Sequence, residues 1–155
     1  MSQAPFLLDG PEATDRAARA LAPLLGAGDV ILLEGPVGAG KSQFARALIR
    51  ARLGEAEEVP SPTFTLVQVY GDAPEIWHSD LYRLSGPGEI AELGLEEAFS
   101  AAICLVEWPD RLGELAPEGA LHLAFRPTPD GGARWLTATG GADWAARIAA
   151  MEAVA

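Results

Sequence analysis

The chain has 155 residues, of which 49% are hydrophobic and 21% charged, with a formal net charge of −11. This balance excludes an intrinsically disordered chain and predicts a single globular domain over residues 1–155. The charge opposes direct binding to a nucleic acid duplex, which then needs a local basic patch or a second protein. Cys104 is the only cysteine, so an internal disulfide is excluded. No membrane-spanning segment or signal peptide is indicated, and we expect a cytoplasmic protein.

The first half of the chain predicts strand, glycine loop and helix in that order. After a short apolar piece, "PEATDRAARALAPLLGAGD" predicts a helix with Ala17, Leu21, Leu24 and Leu25 on one face. "DVILLEG" is an apolar run ending at a glycine and is typical of a buried strand. "KSQFARALIRARLG" then predicts an amphipathic helix that stops at its final glycine.

The second half predicts two β-hairpins separated by helix and strand. Thr63 to Tyr70 and Glu75 to Tyr82 form the first hairpin around "GDAP". "GPGEIAELGLEEAF" is helical with a break near Gly94, and "AAICLVEWP" is another buried strand. "ALHLAFRP" and "RWLTATG" form the second hairpin, and a closing helix has Asp143 as its cap. The predicted fold is therefore α/β, with a mixed, largely parallel sheet and two antiparallel hairpins.

The segment "GPVGAGKS" matches the phosphate-loop motif G-x-x-x-x-G-K-[ST] at every fixed position. Its glycines let successive N–H groups face one anion, and the following helix adds its positive dipole end. Lys41, the only lysine in the chain, suits a site that needs a slim point charge rather than a guanidinium. The context indicates a P-loop NTPase-like three-layer fold. The predicted phosphate-binding residues are Val37, Gly38, Ala39, Gly40, Lys41 and Ser42.

Two acids stand where strands end, at the edge of an open α/β sheet that binds ligands. Glu107 follows the strand "ICLV" and Asp80 follows "IWHS", so both are candidates for holding Mg²⁺ or water. Each is alternatively an ordinary charged residue leaving the sheet. Thr63, in "SPTF", is either a switch residue that senses phosphate or a plain strand start. Trp108 either stacks beside a nucleotide or belongs to the core.

Other polar residues have simpler interpretations. His78 and His122 alternate with apolar residues on predicted strands, which favours structural roles. Arg46 and Arg50 share a helix face, and Arg52 lies near the end of the same helix, where cations suit the helix dipole. A solvated face is the simpler interpretation for these arginines, and a docking patch is the alternative.

The motifs "GPVGAGKS", "SPTFTLVQVY", "HSDLYRL", "ELGLEEAF" and "CLVEWPDRLGEL" occur together in this order. Over about residues 6–140 the chain resembles the TsaE (YjeE) family, the P-loop ATPases of bacterial tRNA threonylcarbamoyladenosine (t6A) biosynthesis. The resemblance implies ATP and Mg²⁺ as ligands, held by Lys41 and Ser42, with Glu107 as the metal-associated acid. It further implies Asp80 as a second essential acid and Thr63 as the switch-like threonine.

The resemblance also implies partners and two more nucleotide contacts. Trp108 and, less closely matched, Arg134 correspond to residues beside the nucleotide. TsaD and TsaB are the implied partner proteins, and tRNA is reached only indirectly through their complex. This sequence departs from the family at three positions. Ser42 replaces a threonine but keeps the hydroxyl, Pro36 replaces an acid or asparagine, and Ser79 replaces a large aromatic residue.

Three other functions are alternatives to an ATPase. A GTPase of the usual type needs the N/T-K-x-D motif, whose lysine this chain lacks, since Lys41 is already in the loop. A small-molecule kinase needs an acceptor pocket and an arginine-bearing lid, and the sequence has no long insertion with clustered arginines. A nucleotide-gated binding module with negligible turnover is the third alternative.

Overall fold

Seven strands form one sheet in the computed structural model, which describes residues 5–55, 57–60, 66–84 and 87–155. In chain order the strands are β1 (Phe6–Leu8), β2 (Val30–Glu34), β3 (Val67–Tyr70), β4 (Ile76–Asp80), β5 (Ile103–Glu107), β6 (Leu121–Pro127) and β7 (Arg134–Thr139).

The sheet is mixed, with the spatial order β1-β7-β6-β2-β5-β4-β3. Strand β2 lies between β5 and β6 and is parallel to both, and β4 is parallel to β5. Strands β3 and β7 pair antiparallel with β4 and β6, so both predicted hairpins are confirmed. Strand β1 pairs antiparallel with β7 at one edge. The predicted α/β fold with a largely parallel centre is confirmed.

The helices cover both faces of this sheet. They are α1 (Pro11–Leu21), α2 (Lys41–Leu53), α3 (Pro87–Leu93), α4 (Leu95–Ala101) and α5 (Ala145–Val154). The break predicted near Gly94 is confirmed, because Gly94 has a left-handed φ of 79° between α3 and α4.

Two apolar layers result from the alternation of side chains along the strands. Ile31 and Leu33 of β2 pack in the layer that contains residues of α1, α2 and α5. Leu32 points the other way, into the layer that contains residues of α3 and α4. Burial on both faces explains why β2 is apolar without alternation, and it fixes the strand that leads into the phosphate loop.

Two local predictions from the sequence are wrong. Leu24 does not share the buried face of α1, since its side chain is 45% exposed. Helix α1 ends at Leu21, and the tighter 3₁₀ turn that follows changes the periodicity on which the prediction relied. Asp143 does not cap α5, because it lies inside a second 3₁₀ turn (Ala142–Trp144) and the helix begins only at Ala145.

The first hairpin is shorter than predicted at its second strand. Strand β4 ends at Asp80, where the Asp80 carboxylate accepts a hydrogen bond from the backbone N–H of Tyr82 at 3.0 Å. This local bond turns the chain out of the sheet. The predicted start of the other strand, including Thr63, lies outside the described residues.

No helix in the described ranges is both long enough and apolar enough to cross a bilayer.

Candidate phosphate and metal site

The glycine loop between β2 and α2 takes backbone angles that favour glycine. Gly38 and Gly40 have φ values of 84° and 108°, in the left-handed region. Gly35 has a φ of 143°, and a Cβ there would collide with the backbone carbonyl of Phe125. The sequence pattern is therefore a steric requirement of this turn.

Two loop residues with apolar side chains, Val37 and Ala39, differ in exposure. Val37 lies on the rim and is 83% exposed. Ala39 has its side chain in the core, and its N–H donates to the carbonyl of Pro36 at 3.1 Å. Of the predicted phosphate-binding residues, Ala39 is thus the one whose side chain does not line the cleft described below.

Lys41, the first residue of α2, is almost fully buried, with 4% of its surface exposed. Its Nζ donates to the carbonyl oxygen of Gly35 at 2.6 Å. The same Nζ lies 3.8 Å from the centroid of the Trp108 ring, a cation–π contact. The ammonium is therefore held at the mouth of the loop by an oxygen and an aromatic face.

Burial lowers the pKa of Lys41, because removing the ammonium from water disfavours its charged form. Three carboxylates oppose that shift, in decreasing order Glu107, Asp80 and Asp110. Burial is the larger effect, so negative charge added beside the ammonium would stabilise its charged form. A bound phosphate would supply such charge.

Ser42 and Glu107, far apart in sequence, meet beneath the loop. The Ser42 hydroxyl lies 3.0 Å from Oε1 and 3.2 Å from Oε2 of Glu107, to which it donates. Glu107 ends β5 and is 2% exposed, and the sheet register sets it opposite Asp80 at the end of β4. These hydroxyl and carboxylate oxygens are the ligand type that Mg²⁺ prefers, so the residues fit the metal that the sequence implies.

Trp108 forms one wall of the site through an unusual backbone. It follows β5 with a φ of 60° and a ψ of 55°, a left-handed conformation that is uncommon for a large side chain. Its ring lies 4.8 Å from that of Tyr82, centroid to centroid, with the two planes tilted by 51°. Both rings line the same cleft as the phosphate loop.

Arg134, the first residue of β7, lies across the start of α2. Its guanidinium occupies the space that a Cβ on Gly40 would need. Nη1 of Arg134 donates to Oε1 of Gln43 at 3.4 Å, and Nε2 of Gln43 donates in turn to the carbonyl of Pro11 at 2.9 Å. The structure thus brings Arg134 to the phosphate loop, and the nucleotide contact that the family resemblance implies for it stays a prediction.

The start of α2, the two acids, the two aromatic rings and Arg134 line one cleft of about 570 Å³. Among the described residues that line it, four are cations and two are carboxylates, an excess of two positive charges. The whole chain, in contrast, carries −11. The cleft is therefore a local anion site on an acidic protein. The cations are Lys41, Arg46, Arg83 and Arg134, and the carboxylates are Asp80 and Glu107.

The sequence analysis did not predict one contact of the site, and one predicted residue lies outside the described ranges. Nε2 of His78 lies 2.7 Å from Oε2 of Glu107, with both side chains buried. The signal was available, because His78 precedes Asp80 by two residues on a strand and must share its face. Thr63 belongs to residues 61–65, which the structure does not describe, so its predicted role stays a prediction.

Comparison with known proteins identifies the family. The profile described as "Threonylcarbamoyl adenosine biosynthesis protein TsaE" matches residues 8–134, most of the chain. The chain belongs to the TsaE family. The TsaE relative of Rickettsia bellii is 42% identical over 126 residues, which are 80% of this chain and 87% of the relative. The TsaE protein of Bacillus subtilis is 36% identical over 132 residues, 84% of this chain and 82% of that protein.

The fold of this TsaE-family chain agrees with a solved structure. The crystal structure of YdiB from Bacillus subtilis superimposes with a TM-score of 0.79 at 29% identity, covering 99% of this chain and 97% of that one. The resemblance inferred from the sequence motifs is therefore confirmed, both for the family and for the fold.

Proposed function

We propose that this TsaE-family chain is a Mg²⁺-dependent ATPase that supports t6A modification of tRNA together with TsaB and TsaD. The observation that carries the proposal is the contact between Ser42 and Glu107, at 3.0 Å, directly below a complete phosphate loop. A glycine turn alone explains anion binding, but it does not explain a buried carboxylate placed on the loop's hydroxyl.

Three groups of the site would bind phosphate together. The backbone N–H groups at the start of α2, with the positive end of the helix dipole, face the anion. Lys41 exchanges its bond to the Gly35 carbonyl for a charge-assisted bond to phosphate. Arg134 lies across Gly40 and adds a second cation at the same end of the helix.

The acids organise the metal and the water. Ser42 and Glu107 would hold Mg²⁺, and the bound ion would neutralise charge that develops on the phosphate oxygens. Asp80 lies beside Glu107 in the sheet register and is nearly buried, which suits a second acid that orients water. Thr63 is proposed as the switch residue that couples this site to the state of the nucleotide.

Adenine is the proposed base, since the chain has no second lysine for the usual guanine motif. Trp108 is proposed to contact the nucleotide from the cleft wall. Hydrolysis by the isolated protein should be slow because the cleft is not closed off from water: Val37 on its rim is 83% exposed and Tyr82 is 52% exposed. Binding of TsaB and TsaD is proposed to complete the site, and tRNA is reached through that complex.

The test is to follow the products of MgATP. The purified chain should release inorganic phosphate slowly, and faster when TsaB and TsaD are added. GTP should be a poorer substrate. Phosphate transferred to an added acceptor would favour the kinase alternative and contradict the proposal. Absence of phosphate release with the partners present, despite tight MgATP binding, would favour the nucleotide-gated binding module.

A further inference from the structure

His78, which has no role in the function proposed above, makes a buried contact with Glu107. It lies in the middle of β4, and Nε2 is 2.7 Å from Oε2 of Glu107. The two side chains are only 2% and 3% exposed. A contact this short between buried groups is specific, because each would otherwise lose its hydrogen bonds to water.

The partners of the carboxylate decide which ring nitrogen carries the proton. Glu107 accepts from the Ser42 hydroxyl and, as a carboxylate, has only acceptor sites to offer His78. The Nε2–H form of His78 therefore donates to it. Nδ1 is buried without a hydrogen-bond partner among the described residues. A proton on Nδ1 would leave a buried donor unpaired and set two acceptors against each other.

Sheet register holds this donor in place. His78 is paired with Leu105, and Glu107 is the diagonal neighbour two residues further along β5. Leu105 belongs to the apolar layer that also contains residues of α2, the helix that carries Ser42. His78 therefore lies on the face of the sheet against which α2 packs.

We infer that His78 is a positioning residue that orients the Glu107 carboxylate towards the Ser42 hydroxyl for Mg²⁺. The inference rests on the proposed function, since it assigns His78 a part in the same metal site. Donors that orient a ligand in this way typically affect metal affinity or activity about 10- to 100-fold when removed. A histidine that only fills the core would instead affect stability alone.

Three substitutions separate these roles. His78→Gln can place an amide N–H near the position of Nε2, whereas His78→Asn places its amide near Nδ1 and falls short of Glu107. His78→Leu removes the donor altogether. The matched control is His122→Leu, which changes an exposed histidine on β6 that is absent from the cleft.

The measurement is the Mg²⁺ concentration that gives half of the maximal enhancement of ATP affinity, determined by calorimetry alongside thermal unfolding. Relative to wild type, we expect about a 10-fold increase for His78→Asn and His78→Leu. His78→Gln should stay within about threefold, and ATP affinity without Mg²⁺ should change little in all of them.

The outcomes are distinguishable. Equal Mg²⁺ half-saturation in wild type, His78→Gln and His78→Asn would overturn the inference while leaving the proposed ATPase intact. A lower unfolding temperature with unchanged Mg²⁺ half-saturation would do the same, since it shows a purely structural role. If His78→Leu does not fold, the difference in Mg²⁺ half-saturation between His78→Gln and His78→Asn still tests the inference. If wild-type protein shows no effect of Mg²⁺ on ATP binding, the proposed function and the inference both fail.

Discussion

Lys41→Met removes the charge at the centre of the site while keeping a similar side-chain length. A hydrogen bond to a charged group contributes about 1.5–3 kcal/mol, so losing the one that Lys41 would make to phosphate should weaken MgATP binding roughly 10- to 150-fold. The free energy of unfolding of Lys41→Met should rise or change little. Burial lowers the pKa of Lys41, which means that the folded protein disfavours this charge relative to the unfolded chain.

Lys41→Arg tests the requirement for a slim cation. The lysine is 4% exposed, with its Nζ 2.6 Å from the Gly35 oxygen and 3.8 Å from the centre of the Trp108 ring. A planar guanidinium does not fit this space. We therefore expect the Lys41→Arg variant to bind MgATP no more tightly than the Lys41→Met variant.

Calorimetric titration with MgATP and thermal unfolding at pH 7 measure both effects. Arg16→Lys, an exchange of cations on the exposed face of α1, is the control and should match wild type. MgATP binding by Lys41→Arg within about twofold of wild type would refute the steric argument. Full affinity in Lys41→Met would refute the role of the charge.

Three further predictions concern other parts of the molecule. Glu107→Gln should retain nucleotide binding but lose Mg²⁺-dependent phosphate release, and equal rates of release in variant and wild type would contradict its role. Burial raises the pKa of Cys104 from an ordinary 9.0 to about 12, so between those values the native state holds a proton that the unfolded chain releases. The free energy of unfolding should therefore fall as pH rises through that window, by at most about 1.4 kcal/mol per pH unit, and Cys104→Ala should remove this part of the slope in urea titrations. Because the chain carries −11, its direct binding to tRNA should be weak at physiological salt, and a tight, salt-sensitive gel shift would contradict this.

The local elements of the fold were predictable from the sequence. The apolar run of β2, the glycine loop and the amphipathic α2 follow from periodicity and from a motif whose glycines are sterically required. The two hairpins followed from alternation and turn residues, and both occur. Each of these signals lies within a short stretch of chain.

The errors arose where a neighbouring segment decides the outcome. A 3₁₀ turn after α1 takes Leu24 out of the buried face. Another 3₁₀ turn contains Asp143 and leaves Trp144 as the residue directly before α5. Both turns compete with the α-helix over three residues, and the residue pattern does not distinguish the two conformations.

Long-range pairing explains what was missed in the site. The order of the strands brings β4 beside β5, and only that register sets His78 against Glu107. Strand-end acids were predictable as candidates because parallel strands end at one edge. Their contact with Ser42, and the position of Trp108 under Lys41, depend on the packing of α2 on the sheet.

The central claim of the proposed function is that ATP hydrolysis in this cleft supports t6A formation together with TsaB and TsaD. The most direct test is to count t6A nucleosides formed per TsaD in a reconstituted reaction with TsaB, TsaD, tRNA, ATP and their other substrates. The wild-type chain should give a higher yield of t6A nucleosides per TsaD than Glu107→Gln. Equal yields with the two proteins, at equal nucleotide binding, would contradict the account.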